Sequence, residues 1–155
     1  QVRVNGKAET QKLVTSSYAE VNRIWKKGDV IEISLPMDAN LIEANPLVEE
    51  NRNQVAVKRG PIVYCLESSD MPGQSIFNAF IPASTVFTPK AVTIDGATMM
   101  SLQGTAKMIE PKTWANVLYR PVSTTSTTIP ITLIPYYAWG NRGHSEMSVW
   151  LPLSR

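Results

Sequence analysis

Residues 54–67, QVAVKRGPIVYCLE, constrain the fold most, because two short apolar runs flank a tight turn at Arg59-Gly60. Each run is too short for a helix and is rich in residues that favour strands. Pro61 suits the first position of a strand, where its missing N–H matters least. The run Ile62–Leu66 is apolar at every position, which predicts a central strand covered on both faces.

The rest of the chain repeats this alternation of short strand-like segments and turns. Asn5-Gly6 favours a type I′ hairpin, in which both central residues need positive φ. Only residues 41–50 weakly suggest a helical period, and residues 41–44 are alternatively compatible with a short strand. Strands are predicted at residues 2–5, 18–25, 30–35, 54–58, 61–67, 75–81, 86–89, 91–94, 99–104, 107–109, 114–119, 126–137 and 147–151. We therefore predict an all-β fold, an antiparallel β-sandwich, with two small sandwiches sharing the chain. The turn-forming residues 68–74 predict a boundary between them.

Charge and hydropathy exclude several classes of function. The net charge is +2, from 15 Lys and Arg against 13 Asp and Glu that are scattered along the chain. We therefore expect no nucleic-acid partner. No apolar run reaches the roughly 20 residues of a membrane helix, so no membrane partner is expected either. The chain opens directly in a strand-like segment, which suggests a domain or fragment of a longer protein.

Candidates for catalysis are few. A glycosidase needs two converging carboxylates, and Glu43 and Glu67 are the least solvated candidates, each with a structural reading as a charge on a strand face. Cys65 is predicted to be a buried apolar residue, as free cysteines usually are. An activated thiolate needs a nearby base or cation, and the single histidine, His144, is distant in sequence. One Cys and one His are too few for a structural zinc site, and the sequence contains no D-x-D-x-D-G calcium loop, so we predict no metal and no cofactor. The sequence predicts no catalytic residues.

One segment gathers aromatic and polar side chains within nine residues of sequence, 136–144, YYAWGNRGH. Aromatic faces stack on sugar rings, and the polar side chains donate directional hydrogen bonds. The alternative is that alternate residues pack in the core and the rest forms a loop. The candidates for contact with a sugar or another domain are Tyr136, Tyr137, Trp139, Asn141, Arg142 and His144.

An ordered set of motifs resembles the C-terminal β-rich region of bacterial glycoside hydrolases of family 127, which include β-L-arabinofuranosidases. The motifs are VNGK at 4–7, WKKGDVIE at 25–32, LPM at 35–37, EANP at 43–46, VAVKRGPIVYCLE at 55–67, IPYYAWGNRG at 134–143 and MSVWLP at 147–152. In that family a helical (α/α)₆ barrel carries a zinc-bound cysteine nucleophile and a glutamate acid/base. Cys65 lies in VYCLE, a different motif, so the resemblance transfers no catalytic role to it.

The resemblance also implies an organisation and partners. It implies a first sandwich of residues 1–67 plus 145–155, incomplete at its N-terminal side, and a second, inserted sandwich of residues 68–144. The expected partners are the helical catalytic barrel of the parent enzyme, a second copy through an exposed sheet edge, and carbohydrate. The sequence leaves the compartment open, and a periplasmic or extracellular parent is the expectation.

Three functions follow from these readings. The leading one is a non-catalytic accessory region of a glycoside hydrolase, the alternative is a carbohydrate-binding module with an aromatic platform, and the third is a small autonomous hydrolase. Four aromatic residues in strand-like segments are predicted to lie in the core: Trp25, Tyr64, Trp114 and Trp150.

Overall fold

The structure is a computed structural model that describes residues 1–9, 16–109, 117–119, 121–122 and 125–155. The chain divides into two compact units, Gln1–Met37 and Asp38–Arg155. The described residues form strands and short 3₁₀ turns without an α-helix, which confirms the all-β prediction. None of the helical turns in these ranges is long and apolar enough to cross a bilayer.

The first unit contains a three-stranded antiparallel sheet in the order β2-β1-β3. Its strands are β1 (Val2–Val4), β2 (Lys7–Ala8) and β3 (Ile31–Ile33). Asn5 and Gly6 connect β1 to β2 with φ values of 50° and 76°. Positive φ at both positions is what a type I′ turn requires, so the predicted hairpin is confirmed.

Asp29, in the Gly28-Asp29 pair that precedes β3, holds the turn through hydrogen bonds to its carboxylate. Its carboxylate accepts hydrogen bonds from the Asn5 side chain and from the Lys26 N–H, both at 2.9 Å. These two donors hold the pKa of Asp29 below its ordinary value. The Asn5 side chain in turn accepts the Val30 N–H at 2.9 Å, so the hairpin turn and the start of β3 are joined by one polar network.

Two predictions for the first unit are wrong. Residues 18–25 form no strand, because alternation of apolar and polar residues does not supply the neighbouring strand that a ladder needs. Trp25 is 44% exposed instead of lying in a core. The Arg23 guanidinium lies 5.1 Å from the centre of the Trp25 ring, a cation–π contact typical of a surface.

The second unit contains a nine-stranded sheet. Its strands are β4 (Ala39–Glu43), β5 (Gln54–Arg59), β6 (Ile62–Glu67), β7 (Ala79–Pro82), β8 (Thr88–Ile94), β9 (Ala97–Ile109), β10 (Ser126–Pro135), β11 (Met147–Ser148) and β12 (Leu151–Ser154). Turns of 3₁₀ helix occur at Glu49–Asn51, Ser68–Asp70, Ile76–Asn78 and Tyr136–Ala138.

Strand pairing closes six of these strands into a ring, β6-β10-β9-β7-β12-β5, because β5 also pairs with β6. The β7–β12 pair is parallel, and the other pairs of the ring are antiparallel. The predicted arrangement of two antiparallel sandwiches is therefore not what the strand pairing shows. Each of these six strands pairs with two neighbours in the ring, so none of the six is left as a free edge.

The predicted domain division does not coincide with the two units. The units separate between Met37 and Asp38, whereas the sequence suggested residues 1–67 with 145–155, and residues 68–144. β6 pairs with β10, and β12 with β7, across that suggested boundary. As a statement about which parts fold independently, the predicted division stays a prediction.

Alternate residues of every strand in the ring point into one core. The core comprises Val55, Val57, Tyr64, Leu66, Met71, Ile76, Ala79, Ile81, Phe87, Leu102, Ala106, Met108, Ile131, Leu133 and Leu151. Pairs two residues apart within one strand show the period expected for side chains that line a barrel. The ring therefore encloses the core, as a closed sheet should.

The aromatic core predictions have different outcomes. Tyr64 is buried as predicted, and its hydroxyl donates to the Met100 carbonyl at 3.0 Å. Trp150 is only partly buried, because it lies in the bend between β11 and β12. Trp114 lies outside the described residues, and so does half of the predicted strand at residues 114–119; the described residues 117–119 form no strand.

Candidate functional site

A 3₁₀ turn after β10 brings Tyr136 and Trp139 together. The Trp139 N–H donates to the Tyr136 carbonyl at 3.1 Å, and a 3₁₀ turn places residues i and i+3 on the same side. The two rings are stacked, with centroids 6.5 Å apart and planes inclined by 9°. Both side chains are about half exposed. The turn therefore presents a parallel aromatic pair at the surface.

A small apolar cluster anchors this turn. Ala138 is buried and packs with Cys65, Ile94 and Ile134. Cys65 is 1% exposed, and burial raises the pKa of its thiol to about 12. The prediction of a buried, apolar cysteine is therefore confirmed. A thiol with that pKa carries almost no thiolate at neutral pH.

The remaining predicted contact residues do not join the stacked pair equally. Tyr137 is exposed, and its phenol is close enough to Tyr64 to contribute electrostatically to the pKa of Tyr64. Burial is the largest cause of the raised pKa of Tyr64. Asn141 and His144 are exposed on the following loop. The structure thus brings two of the six candidates together and leaves three exposed around them.

Arg142, the sixth candidate, is paired with the carboxylates of Glu67 and Asp70. Its Nη1 donates to Asp70 Oδ1 at 2.8 Å and its Nη2 to Asp70 Oδ2 at 2.6 Å. Its Nε donates to Glu67 Oε2 at 3.0 Å, and Nη2 contacts the same oxygen. Hydrogen bonding to Asp70 is the largest cause that raises the pKa of Arg142. The guanidinium is therefore occupied by two carboxylates.

Glu67 is the buried centre of this network. Its side chain has no exposed surface, and it also accepts the Gly140 N–H and the Ser69 hydroxyl, both at 3.1 Å. Burial alone would raise the pKa of Glu67, but the Gly140 N–H, Arg142 and Ser69 outweigh it, and the pKa is lowered. A catalytic acid needs the opposite shift. Glu67 thus holds the loop after Trp139 against the end of β6.

The two carboxylates singled out from the sequence have different environments. Glu43 is exposed and accepts a hydrogen bond from Arg155 at 2.6 Å, whereas Glu67 is buried. The sequence did not indicate Asp70 as the second carboxylate beside Arg142. The sequence signal for this ion pair was the position of Glu67 at the end of an apolar strand, because a buried charge needs a charged or hydrogen-bonding partner.

A groove adjoins the stacked pair and shares Tyr136 with it. Its volume is about 670 Å³, and it lies over the bend between β11 and β12. The lining residues are Gln54, Val63, Ile76, Phe77, Tyr136, Met147, Ser148, Val149, Trp150, Leu151 and Pro152. We name this feature the Tyr136 groove. Aromatic side chains with a few polar groups make it resemble a small-ligand site.

Comparison with known proteins places this geometry in context. Residues 39–152 match the family model described as "Glycoside hydrolase family 127 C-terminal domain". Residues 1–37 match "Beta-L-arabinofuranosidase, GH127 middle domain". The boundary between the two matches coincides with the boundary between the two structural units.

Individual relatives of this chain are also glycoside hydrolases. A non-reducing end β-L-arabinofuranosidase of Bifidobacterium longum subsp. longum is 29% identical over 129 residues, 79% of this chain and 20% of that protein. A solved glycoside hydrolase is 52% identical with a TM-score of 0.92, over 99% of this chain and 26% of its own. A GH127 β-L-arabinofuranosidase from Geobacillus stearothermophilus T6 is 35% identical with a TM-score of 0.86, over 99% and 24%. The chain thus spans a fifth to a quarter of the length of these relatives.

Proposed function

Since this chain belongs to glycoside hydrolase family 127, we propose that it is a non-catalytic accessory region of a bacterial enzyme resembling β-L-arabinofuranosidases. In this proposal the region packs against the helical barrel that carries catalysis in the parent enzyme. Coverage carries the proposal: 99% of the chain aligns with solved relatives of which it makes up only 26% and 24%. About three quarters of the length of such an enzyme therefore lies outside the region that this chain matches.

The chemistry of the buried charges supports a structural role. Glu67 and Asp70 converge, but Arg142 binds both of them. A glycosidase needs one carboxyl group that stays protonated long enough to act as an acid. The lowered pKa of Glu67 suits a permanent ionic contact instead.

The surface of the first unit supports packing against further protein. Ile31 and Ile33 share one face of β3, and both are at least half exposed, as is Leu35. Exposed apolar side chains that cluster on one small sheet mark a protein contact. Glu32 lies on the opposite face, since successive strand residues alternate.

This role predicts a contrast between the isolated chain and the longer parent enzyme. The isolated chain should not hydrolyse an aryl β-L-arabinofuranoside, while the parent should. Ile33→Ser should leave the melting temperature of the isolated chain unchanged and destabilise the parent by about 2 kcal/mol, because the side chain is buried only there. Differential scanning calorimetry of both proteins measures this.

Glu32→Ser is the matched control, because it changes an exposed residue of the same strand on the other face. It should leave both proteins unchanged. Hydrolysis by the isolated chain that disappears on Glu67→Gln would contradict the non-catalytic role. Equal effects of Ile33→Ser in both proteins would contradict packing through this face.

A second candidate function is carbohydrate binding, favoured by the exposure of Tyr136, Tyr137 and Trp139. Exposed aromatic faces are available to stack on sugar rings. Asn141 and His144 lie on the exposed loop beside them and supply hydrogen-bonding groups. Arg142 would act in this function by holding the loop, since its guanidinium is bound to Glu67 and Asp70.

A further inference from the structure

We propose that the Tyr136 groove binds a short neutral oligosaccharide containing arabinofuranose, an inference that rests on the second candidate function and gives it a site. The shape of the groove is the first argument. Small-ligand sites are concave, have volumes of roughly 300–1,000 Å³ and carry a few polar groups on apolar walls. A groove of about 670 Å³ fits this description, whereas a protein-docking face is usually flatter.

Aromatic rings at the groove supply its apolar contacts. Phe77 is 64% exposed although it carries no polar atom, and Tyr136 is 48% exposed. Phe77 follows Ser75, whose hydroxyl accepts the Phe77 N–H at 3.3 Å and fixes the 3₁₀ turn that presents the ring. The C–H faces of a sugar ring would cover these rings, which removes apolar surface from water.

The charge of the groove favours a neutral ligand. Every lining residue among those described is uncharged, so neither a phosphate nor a carboxylate would find a counter-charge. Gln54 and Ser148 supply polar groups. Gln54 Oε1 accepts from the Asn51 side chain at 3.4 Å, and the Ser148 hydroxyl donates to the Trp150 carbonyl at 2.7 Å. These contacts orient the Gln54 amide as a donor and the Ser148 oxygen as an acceptor.

The wall formed by Tyr136 is held in place before any ligand arrives. Ala138 is the buried residue of this turn, and Glu67 binds both the Gly140 N–H and Arg142 after it. A loop fixed at both ends loses little conformational entropy on binding. The chemical class of the sugar comes from the relatives, whose names state activity on β-L-arabinofuranosides.

The test is a titration of the full 155-residue chain with arabinofuranose oligosaccharides. Isothermal titration calorimetry and ligand-observed NMR measure the binding. We expect saturable binding that Phe77→Ala and Tyr136→Ala each weaken about tenfold, as the loss of one aromatic contact should. Tyr18→Ala is the matched control, because Tyr18 is an exposed tyrosine in the other unit. It should bind like the unchanged chain, and thermal melts confirm that each variant is folded.

The outcomes separate this proposal from those on which it rests. Binding that is lost in Trp139→Ala but unchanged in Phe77→Ala would place the sugar on the exposed pair, which overturns the groove site and keeps carbohydrate binding. No saturation at millimolar sugar would overturn both and leave the accessory role untouched. Destabilisation of the parent enzyme by Phe77→Ser, without sugar binding, would assign the groove to protein contact and likewise overturn the proposal.

Discussion

At the scale of single residues, Glu67 is the charged side chain on which the surface loop depends. It lies at the end of β6 with no exposed surface and binds Arg142, Gly140 and Ser69. Burying a carboxylate is costly unless charged partners and hydrogen bonds compensate. Here the compensation also fixes the aromatic turn, so one residue couples stability to the shape of the candidate site.

Glu67 should make the stability of the chain depend on acid. The pKa of Glu67 is lowered in the folded state from its ordinary value of 4.5. At pH values between the folded-state pKa and 4.5, the unfolded state therefore binds more protons than the folded state. The contribution is complete above pH 4.5 and is lost as the pH falls through the folded-state pKa. Glu67→Gln should cost about 2 kcal/mol at neutral pH, the worth of hydrogen bonds to a charge, and should flatten the acid limb of a plot of melting temperature against pH.

The control for this pH dependence is Glu50→Gln, which changes an exposed glutamate of the Glu49–Asn51 turn. It should keep the acid limb of the unchanged chain. An identical acid limb in the Glu67→Gln protein would show that the network does not stabilise the fold through ionisation of Glu67.

Gly104 of β9 is required by its neighbour instead of by its own backbone. A Cβ atom at this position would lie 2.7 Å from two ring atoms of Phe87, well inside contact distance. Gly104→Ala should therefore destabilise the unit by about 1–3 kcal/mol through overpacking. In a double-mutant cycle with Phe87→Leu, the smaller side chain should relieve part of this cost, so the two effects should not add. Additive losses in urea unfolding would contradict the clash.

At the scale of elements, β12 completes the ring. Leu151 and Pro152 pair with β5, and Leu153 and Ser154 pair in parallel with β7. The Ser154 carbonyl also accepts the Ala83 N–H at 2.9 Å. This short strand therefore lies between β5 and β7 and closes the ring.

Removal of residues 151–155 should open the second unit. Two strand edges and the core around Leu151 would become exposed, so the shortened chain should lose cooperative unfolding and bind a hydrophobic dye. Removal of Arg155 alone is the control, because its exposed pair with Glu43 contributes little. A sharp thermal transition in the chain that ends at Trp150 would contradict the role of β12.

Local structure was predictable from the sequence where the backbone itself imposes a requirement. Asn5-Gly6 and the turn at Gly60 were found because positive φ selects those residues. Closure of the ring was not predictable, because no local sequence pattern in β7 or β12 indicates that these two distant segments pair. Arg142 was assigned to sugar for a similar reason: its partners Glu67 and Asp70 lie 75 and 72 residues away, and charge pairing at that distance leaves no local pattern.

At the scale of the whole molecule, the edge of β3 is the feature that bears on self-association. Among the described residues β3 pairs only with β1, so its other edge offers unpaired backbone N–H and C=O groups. We expect the isolated chain to dimerise through this edge, as the sequence also predicted. Ile31→Lys should shift it to a monomer in analytical ultracentrifugation, because a charge on an edge strand opposes pairing. A strictly monomeric unchanged chain would contradict this expectation.

The late position of β12 also has a consequence for biosynthesis. β5 and β7 are synthesised well before residues 151–154, so the nascent chain displays two unpaired strand edges and an unclosed core while residues 83–150 are added. Such a segment is vulnerable to aggregation during that interval. The soluble yield should therefore depend on chaperones because the sheet closes late in synthesis, and it should depend less on the stability of the finished fold.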